Sequence, residues 1–224
     1  MAGESMNILI FGATGMVGQG VLRECLVDPE VQRVVTIGRN ATGQSHPKLH
    51  EIVHGDLFDY ASIEAELTGF DACFFCLGVS SFRMSETDYA RVSYDLTLAA
   101  AQTLVRLNPR MVFTYVSGAG TDSTEHGRSM WARVKGRAEN ALLRLPFKAA
   151  FMFRPGVIVP MDGIRSKTAL YQFFYSAGRP LLPLLRRAFP NAITTTSQLG
   201  RAMLAVAKNG ASSGILETHD IVTY

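Results

Sequence analysis

Cysteine, tryptophan and excess charge are all scarce in this chain of 224 residues, which has three cysteines, one tryptophan and a formal net charge of +3. So small a charge gives no reason to expect a nucleic-acid partner. No uninterrupted apolar stretch approaches the ~20 residues a membrane helix needs, so no integral membrane segment is expected. The opening Met1-Ala2-Gly3-Glu4-Ser5 holds an acid and no apolar core, and does not read as a secretory signal. A cytoplasmic location is the default expectation. Cys73 and Cys76 match C-x-x-C, a pattern of redox and zinc sites, but they lie in the apolar run from Ala72 to Leu77. On a strand, positions i and i+3 face opposite ways, and there is no second Cys pair to complete a zinc site. Both read as small core residues, and no metal site is expected. His46 and His50 share a polar loop without a third ligand.

What the chain does have is apolar patterning. Hydrophobic residues make up 47% and charged residues 18%, the balance of a folded chain long enough for one sizeable core. A single domain over 1–224 is expected. Apolar strands are predicted at Asn7 to Phe11, Val31 to Ile37, Glu51 to Val53, Asp71 to Leu77, Met111 to Ser117 and Lys148 to Phe153. Helical patterns lie between them at Met16 to Val27, Tyr60 to Leu67, Glu86 to Leu107 and Arg128 to Leu143. Asp28-Pro29 and Asn108-Pro109 stop two of these helices. The alternation predicts an α/β fold, a doubly wound parallel sheet flanked by helices, which binds ligands at the carboxyl ends of its strands. Past Arg154 a helix is expected around Ser166 to Ala177, then the proline-rich Arg179 to Pro190, then a helix from Ser197 to Lys208 capped by Thr196 or Ser197. Residues 155–195 are expected to form a small C-terminal cover over the substrate pocket.

The first strand runs into Gly12-Ala13-Thr14-Gly15-Met16-Val17-Gly18. Gly12 permits a tight turn, Gly15 a close backbone approach to a pyrophosphate, and Gly18 a helix lying close on the sheet. The free N–H groups of the following helical turn suit phosphate oxygens. This strand, turn and helix together predict dinucleotide binding. Where NAD binders usually carry an acid after the second strand, this chain has Gly38-Arg39-Asn40. Arg39 suits a 2′-phosphate, so NADP is the expected cofactor, with NAD as the alternative. Asp56 could accept from an adenine amino group while Leu57 packs on the ring, or Asp56 could cap a helix. Leu77-Gly78-Val79 would pass beneath the cofactor.

These residues resemble the short-chain dehydrogenase/reductase superfamily, in particular its extended and atypical epimerase-like and NmrA-like Rossmann branch. The resemblance covers about Asn7 to Pro160. It includes the glycine turn, Asp56-Leu57, Leu77-Gly78-Val79, Tyr89-x-x-Val92-Ser93, Ser117, Lys135 and Arg154-Pro155-Gly156. It implies Ser117 and Lys135 as catalytic residues, with Lys135 and Pro155 also at the cofactor. The superfamily's acid/base group is a Tyr four residues before that Lys, on the same helix face. Here Trp131 stands in its place, and an indole N–H cannot trade protons at physiological pH. His126, in the preceding loop, is a candidate replacement, and Tyr115 more plausibly packs in the sheet. Arg154 could face an acidic substrate group or support its loop.

The resemblance implies an oxidoreductase acting on a small-molecule substrate, of carbonyl, quinone or flavin type. Trp131 leaves a non-catalytic NADP(H) sensor or scaffold as the alternative. An NAD-dependent epimerase or dehydratase is a third reading, disfavoured by the missing Tyr and the short C-terminal portion. Dimers are common in the superfamily, so a homodimer is among the expectations.

Overall fold

Residues Ile8 and Ile10 of the first strand are buried on one face of the sheet and Leu9 and Phe11 on the other, so both faces must be covered. The computed structural model describes residues 5–161, 163–164 and 192–224. The chain order is β1 (Met6–Phe11), α1 (Met16–Val27), β2 (Val31–Gly38), β3 (Leu49–Val53), a 3₁₀ helix (Ala61–Leu67) and β4 (Ala72–Phe75). There follow α2 (Glu86–Ala90), a π-helical turn (Arg91–Asp95), α3 (Leu96–Leu107), β5 (Val112–Val116), α4 (Met130–Leu143) and β6 (Ala149–Arg154). After these come β7 (Val157–Val159), β8 (Ile193–Thr195), α5 (Thr196–Asn209), β9 (Ile215–Glu217) and α6 (Thr218–Ile221).

Seven strands form one parallel sheet in the order β3-β2-β1-β4-β5-β6-β9. The order reverses between β1 and β4, so a crevice opens at their carboxyl ends. On one face, α1 and α5 bury Val21, Leu22 and Cys25 with Leu199, Met203 and Val206. On the other, α3 and α4 bury Ala101 and Leu104 with Ala138 and Leu142. Cys73 joins this second layer and Cys76 packs against the first, so the C-x-x-C sulfurs do diverge. Helix α5 lies almost on the backbone of α1: a Cβ on Gly20 would come within 2.5 Å of Thr196 Cβ, and one on Gly200 within 2.8 Å of Glu24 Cγ.

Several elements differ from expectation. Helix α5 is capped by Thr195, not Thr196 or Ser197. Its hydroxyl accepts from the Gln198 N–H while the Gln198 side chain accepts from the Thr195 N–H, a capping box. Strands β7, β8 and β9 were not expected: β7 pairs with β8 in a separate two-stranded sheet, and β9 extends the main sheet beside β6. The helix expected at Ser166 to Ala177 and the proline-rich Arg179 to Pro190 lie outside the described residues.

Candidate cofactor cleft

The turn after β1 is built by backbone proximity. Gly12 has φ +79°, and a Cβ there would meet the carbonyl of Cys76 and the nitrogen of Leu77 at 2.8 Å. Gly18 brings α1 close onto the backbone that directly follows β1. A Cβ there would lie 2.1 Å from the Gly12 carbonyl oxygen. Gly15 is the N-cap of α1, with no side-chain cap and no acid in the first turn. The first helical carbonyl to accept is that of Gly15, from the Gln19 N–H, so the N–H groups of Met16, Val17 and Gly18 precede the helical ladder. These donors, next to a cradle that tolerates no Cβ, fit a dinucleotide pyrophosphate.

A cleft of about 570 Å³ opens at this point. Of the expected binding residues, Gly12, Thr14, Gly15, Arg39, Asp56, Leu57, Leu77, Gly78 and Val79 line it. Met16, Val17 and Gly18 are not among its walls; the Val17 side chain packs into the core, leaving these residues their backbone N–H groups. Arg39 is exposed on the rim and has no ion pair among the described residues. Asp56 accepts from the Phe58 N–H at 2.9 Å through Oδ1, a local turn, while Asp59 plays the same part for Ala61. Leu57 is buried, and its carbonyl accepts from the Tyr60 hydroxyl at 2.7 Å.

Sequence reasoning missed the opposite wall. Arg91, Val92 and Leu96 reach the cleft from the π-helical turn and the start of α3, and the Arg91 guanidinium sits 5.5 Å from the Phe58 ring centroid. The spacing of Val92 and Leu96, four apart, was a signal for one shared face. Nothing in the sequence announces the π turn itself.

Ser117, Lys135 and Pro155 do not line this cleft; they gather beyond it, at the carboxyl ends of β5 and β6. Ser117 is buried, and its hydroxyl donates to Glu139 Oε1 at 2.5 Å. A serine hydroxyl has one proton, and this one is committed to Glu139, so Ser117 is left able only to accept from a substrate. The Lys135 ammonium donates to the Ser117 carbonyl. Burial pushes its pKa down to about 8, against the opposing pull of Glu139. Pro155 is buried, and its carbonyl accepts from the Ala119 N–H at 2.9 Å.

Arg154 serves structure. Burial opposes its charge, and bonds to two carboxylates hold the charge in place. Nε donates to both Glu139 oxygens at 3.1 and 3.2 Å, Nη2 to Glu139 Oε2 at 2.5 Å, and Nη1 to Glu217 at 3.1 Å. Nη2 also donates to Ser123, so four of its five N–H groups are held by the protein. Trp131 is half-buried, its ring edge 3.7 Å from where a Cβ on Gly120 would lie. His126 is exposed. Tyr115 is buried in the sheet, which pushes its phenol far above the ordinary range. His46 Nδ1 accepts from the Lys48 N–H and His50 lies 3.8 Å from Glu66. The described residues contain no cluster of potential metal ligands.

Sequence comparison now assigns this architecture. The profile of the NAD dependent epimerase/dehydratase family matches residues 8–127, more than half of the chain. The chain belongs to that family. Protein fmp52 of Emericella nidulans is 30% identical over 179 residues, covering 76% of this chain and 75% of the relative. Rat HTATIP2 is 26% identical over 159 residues, 70% of this chain and 64% of the relative, so the match spans just under two thirds of that protein. Among solved structures, the carbonyl reductase Sniffer of D. melanogaster superposes with a TM-score of 0.67 at 14% identity, over 96% of this chain and 97% of that one. That likeness shows the fold, and family membership brings a nicotinamide cofactor with it. The cytoplasmic expectation is overturned, because the names of several fungal relatives place those proteins in mitochondria. No described helix is long and apolar enough to cross a membrane.

Proposed function

We propose that the chain is an NADP(H)-dependent oxidoreductase that reduces a quinone- or carbonyl-type acceptor. The observation that carries this reading is the rim of the cleft: Arg39, with no ion pair among the described residues, follows β2 where NAD binders usually carry a carboxylate, and Arg91 also lines the cleft. A 2′-phosphate offers Arg39 a charge-assisted fork; the Arg39-Asn40-Ala41 stretch after β2 carries no acid, and the nearby Glu51 carboxylate is engaged by the Thr42 N–H at 2.6 Å. The uncapped first turn of α1 would hold the diphosphate, and Leu57 and Phe58 would flank the adenine.

The bound cofactor supplies a hydride. What this chain adds is position: Lys135 is the cation at the end of β5, suited to ribose hydroxyls, and Pro155 closes that end of the site. Trp131 and Ser117 supply no proton, because an indole does not exchange one and the serine hydroxyl is bound to Glu139. An acceptor that takes hydride without strong acid assistance suits this arrangement. A quinone is such an acceptor: it would take the hydride directly, and a proton from water would complete the hydroquinone.

The same missing proton donor favours a second reading, an NADP(H) sensor that binds without turnover. Calorimetric titration separates these proposals. NADPH is expected to bind more tightly than NADH, and Arg39→Ser to remove about 1.5–3 kcal/mol from NADPH alone, roughly a tenfold to hundredfold loss. A preference for NADH would overturn the NADP assignment. Tight NADPH binding with no oxidation by quinone, flavin or carbonyl acceptors would favour the sensor.

A further inference from the structure

Beyond the cofactor cleft the carboxyl edge of the sheet is unusually apolar. Val79 is 48% exposed, Phe82 75%, Val157 51% and Met161 38%. Val79 and Phe82 lie in the segment leaving β4, and Val157 and Met161 in the segment leaving β6. Both strands are neighbours of β5, so these side chains flank the end of β5 where Ser117 and Lys135 stand. Val79 also lines the cofactor cleft.

Charge at this edge is already spent. Arg154, Glu139 and Glu217 satisfy one another, and the Arg83 guanidinium lies 5.1 Å from the Phe82 ring centroid. Arg133 is paired with Glu86 at 2.6 Å. A nucleotide sugar would bring a second diphosphate, whereas Arg154 and Arg133 at this end of the sheet are already held by carboxylates. Exposed apolar side chains beside a reaction site mark where an apolar ligand is desolvated.

We propose that the acceptor is an apolar molecule, whose reactive head lies at the end of β5 and whose hydrocarbon body lies along Val79, Phe82, Val157 and Met161. This rests on the cofactor reading above.

The test is calorimetry on the full chain saturated with NADP+, which holds the cofactor site filled without turnover. The probes are a dimethoxy-methyl-benzoquinone with no tail, with a five-carbon tail and with a ten-carbon tail, and UDP-glucose. Each buried methylene strengthens binding by about threefold to fourfold, so at least a tenfold gain is expected from no tail to five carbons. Phe82→Ser, at a solvent-exposed position that folding does not need, is expected to lower affinity for the tailed probes by fivefold or more. NADP+ affinity should stay unchanged. Affinity independent of tail length, tighter binding of UDP-glucose, or no probe binding by NADP+-loaded protein overturns the proposal. So does a doubled mass in sedimentation that Phe82→Ser restores to the monomer, because a second copy would then own this surface. Failure to bind NADP+ at all would instead strike at the cofactor reading on which this one stands.

Discussion

Replacing Glu139 by Gln isolates the group on which the end of the sheet depends. Glu139 is fully buried and receives the Ser117 hydroxyl and three donor contacts from Arg154. Neutralising it leaves a guanidinium, itself 8% exposed, with Glu217 as its remaining carboxylate. Breaking a buried pair from one side costs about 3–5 kcal/mol. Because Glu217 and Ser123 still hold Arg154, the lower end applies, about 3 kcal/mol. For a chain of this length that is a fall in Tm of about 6–12 °C. Urea unfolding at pH 7, followed by circular dichroism, measures the loss directly. The double variant Glu139→Leu with Arg154→Met should lose less than Glu139→Leu alone, since no charge is then stranded. A Glu139→Gln protein within 1 kcal/mol of wild type would refute the reasoning.

Two further outcomes are expected. Lys135 has its pKa held down to about 8 by burial, from 10.5 when unfolded. Between those values the unfolded chain binds the extra proton, so this group makes stability rise with pH from about 8 to 10.5, by up to about 3 kcal/mol. Cys76, pushed up to about 12 by burial, acts in the opposite sense at higher pH, so the measurement is the difference between wild type and Lys135→Met across that window. A flat difference would show that Lys135 is not desolvated. Gly18→Ala drives a Cβ to 2.1 Å from the Gly12 carbonyl and must open the turn, so NADPH affinity should fall more than a hundredfold while far-ultraviolet dichroism persists. Binding retained within threefold would remove the turn from the site.

The parts of this molecule legible in advance are those whose signals are local. An apolar run, three glycines and an apolar helix face place β1, the turn and α1 to within a residue of the observed bounds. The cleft follows, because glycine at φ +79° and a bare helix N-terminus are properties of a short segment. What escaped depends on partners far along the chain. Strands β7 and β8 have three residues each, and each is a strand only because the other lies beside it. Ser117 could be placed at the end of β5, but its commitment to Glu139, 22 residues on, belongs to the tertiary structure. Arg91 was hidden by the π turn, since an extra residue per turn changes which side chains share a face without changing composition.

The partnership of Arg154 with Glu217 also bears on how the protein is made. Sixty-three residues separate the two, so a nascent chain exposes β6 and its cation well before the strand that carries the second acid exists. At about 5–20 residues per second, translation needs roughly 3–13 s to supply it. Over that interval the flank of β6 later paired with β9 is an open edge, and chaperone engagement should concentrate on ribosomes paused between those two codons.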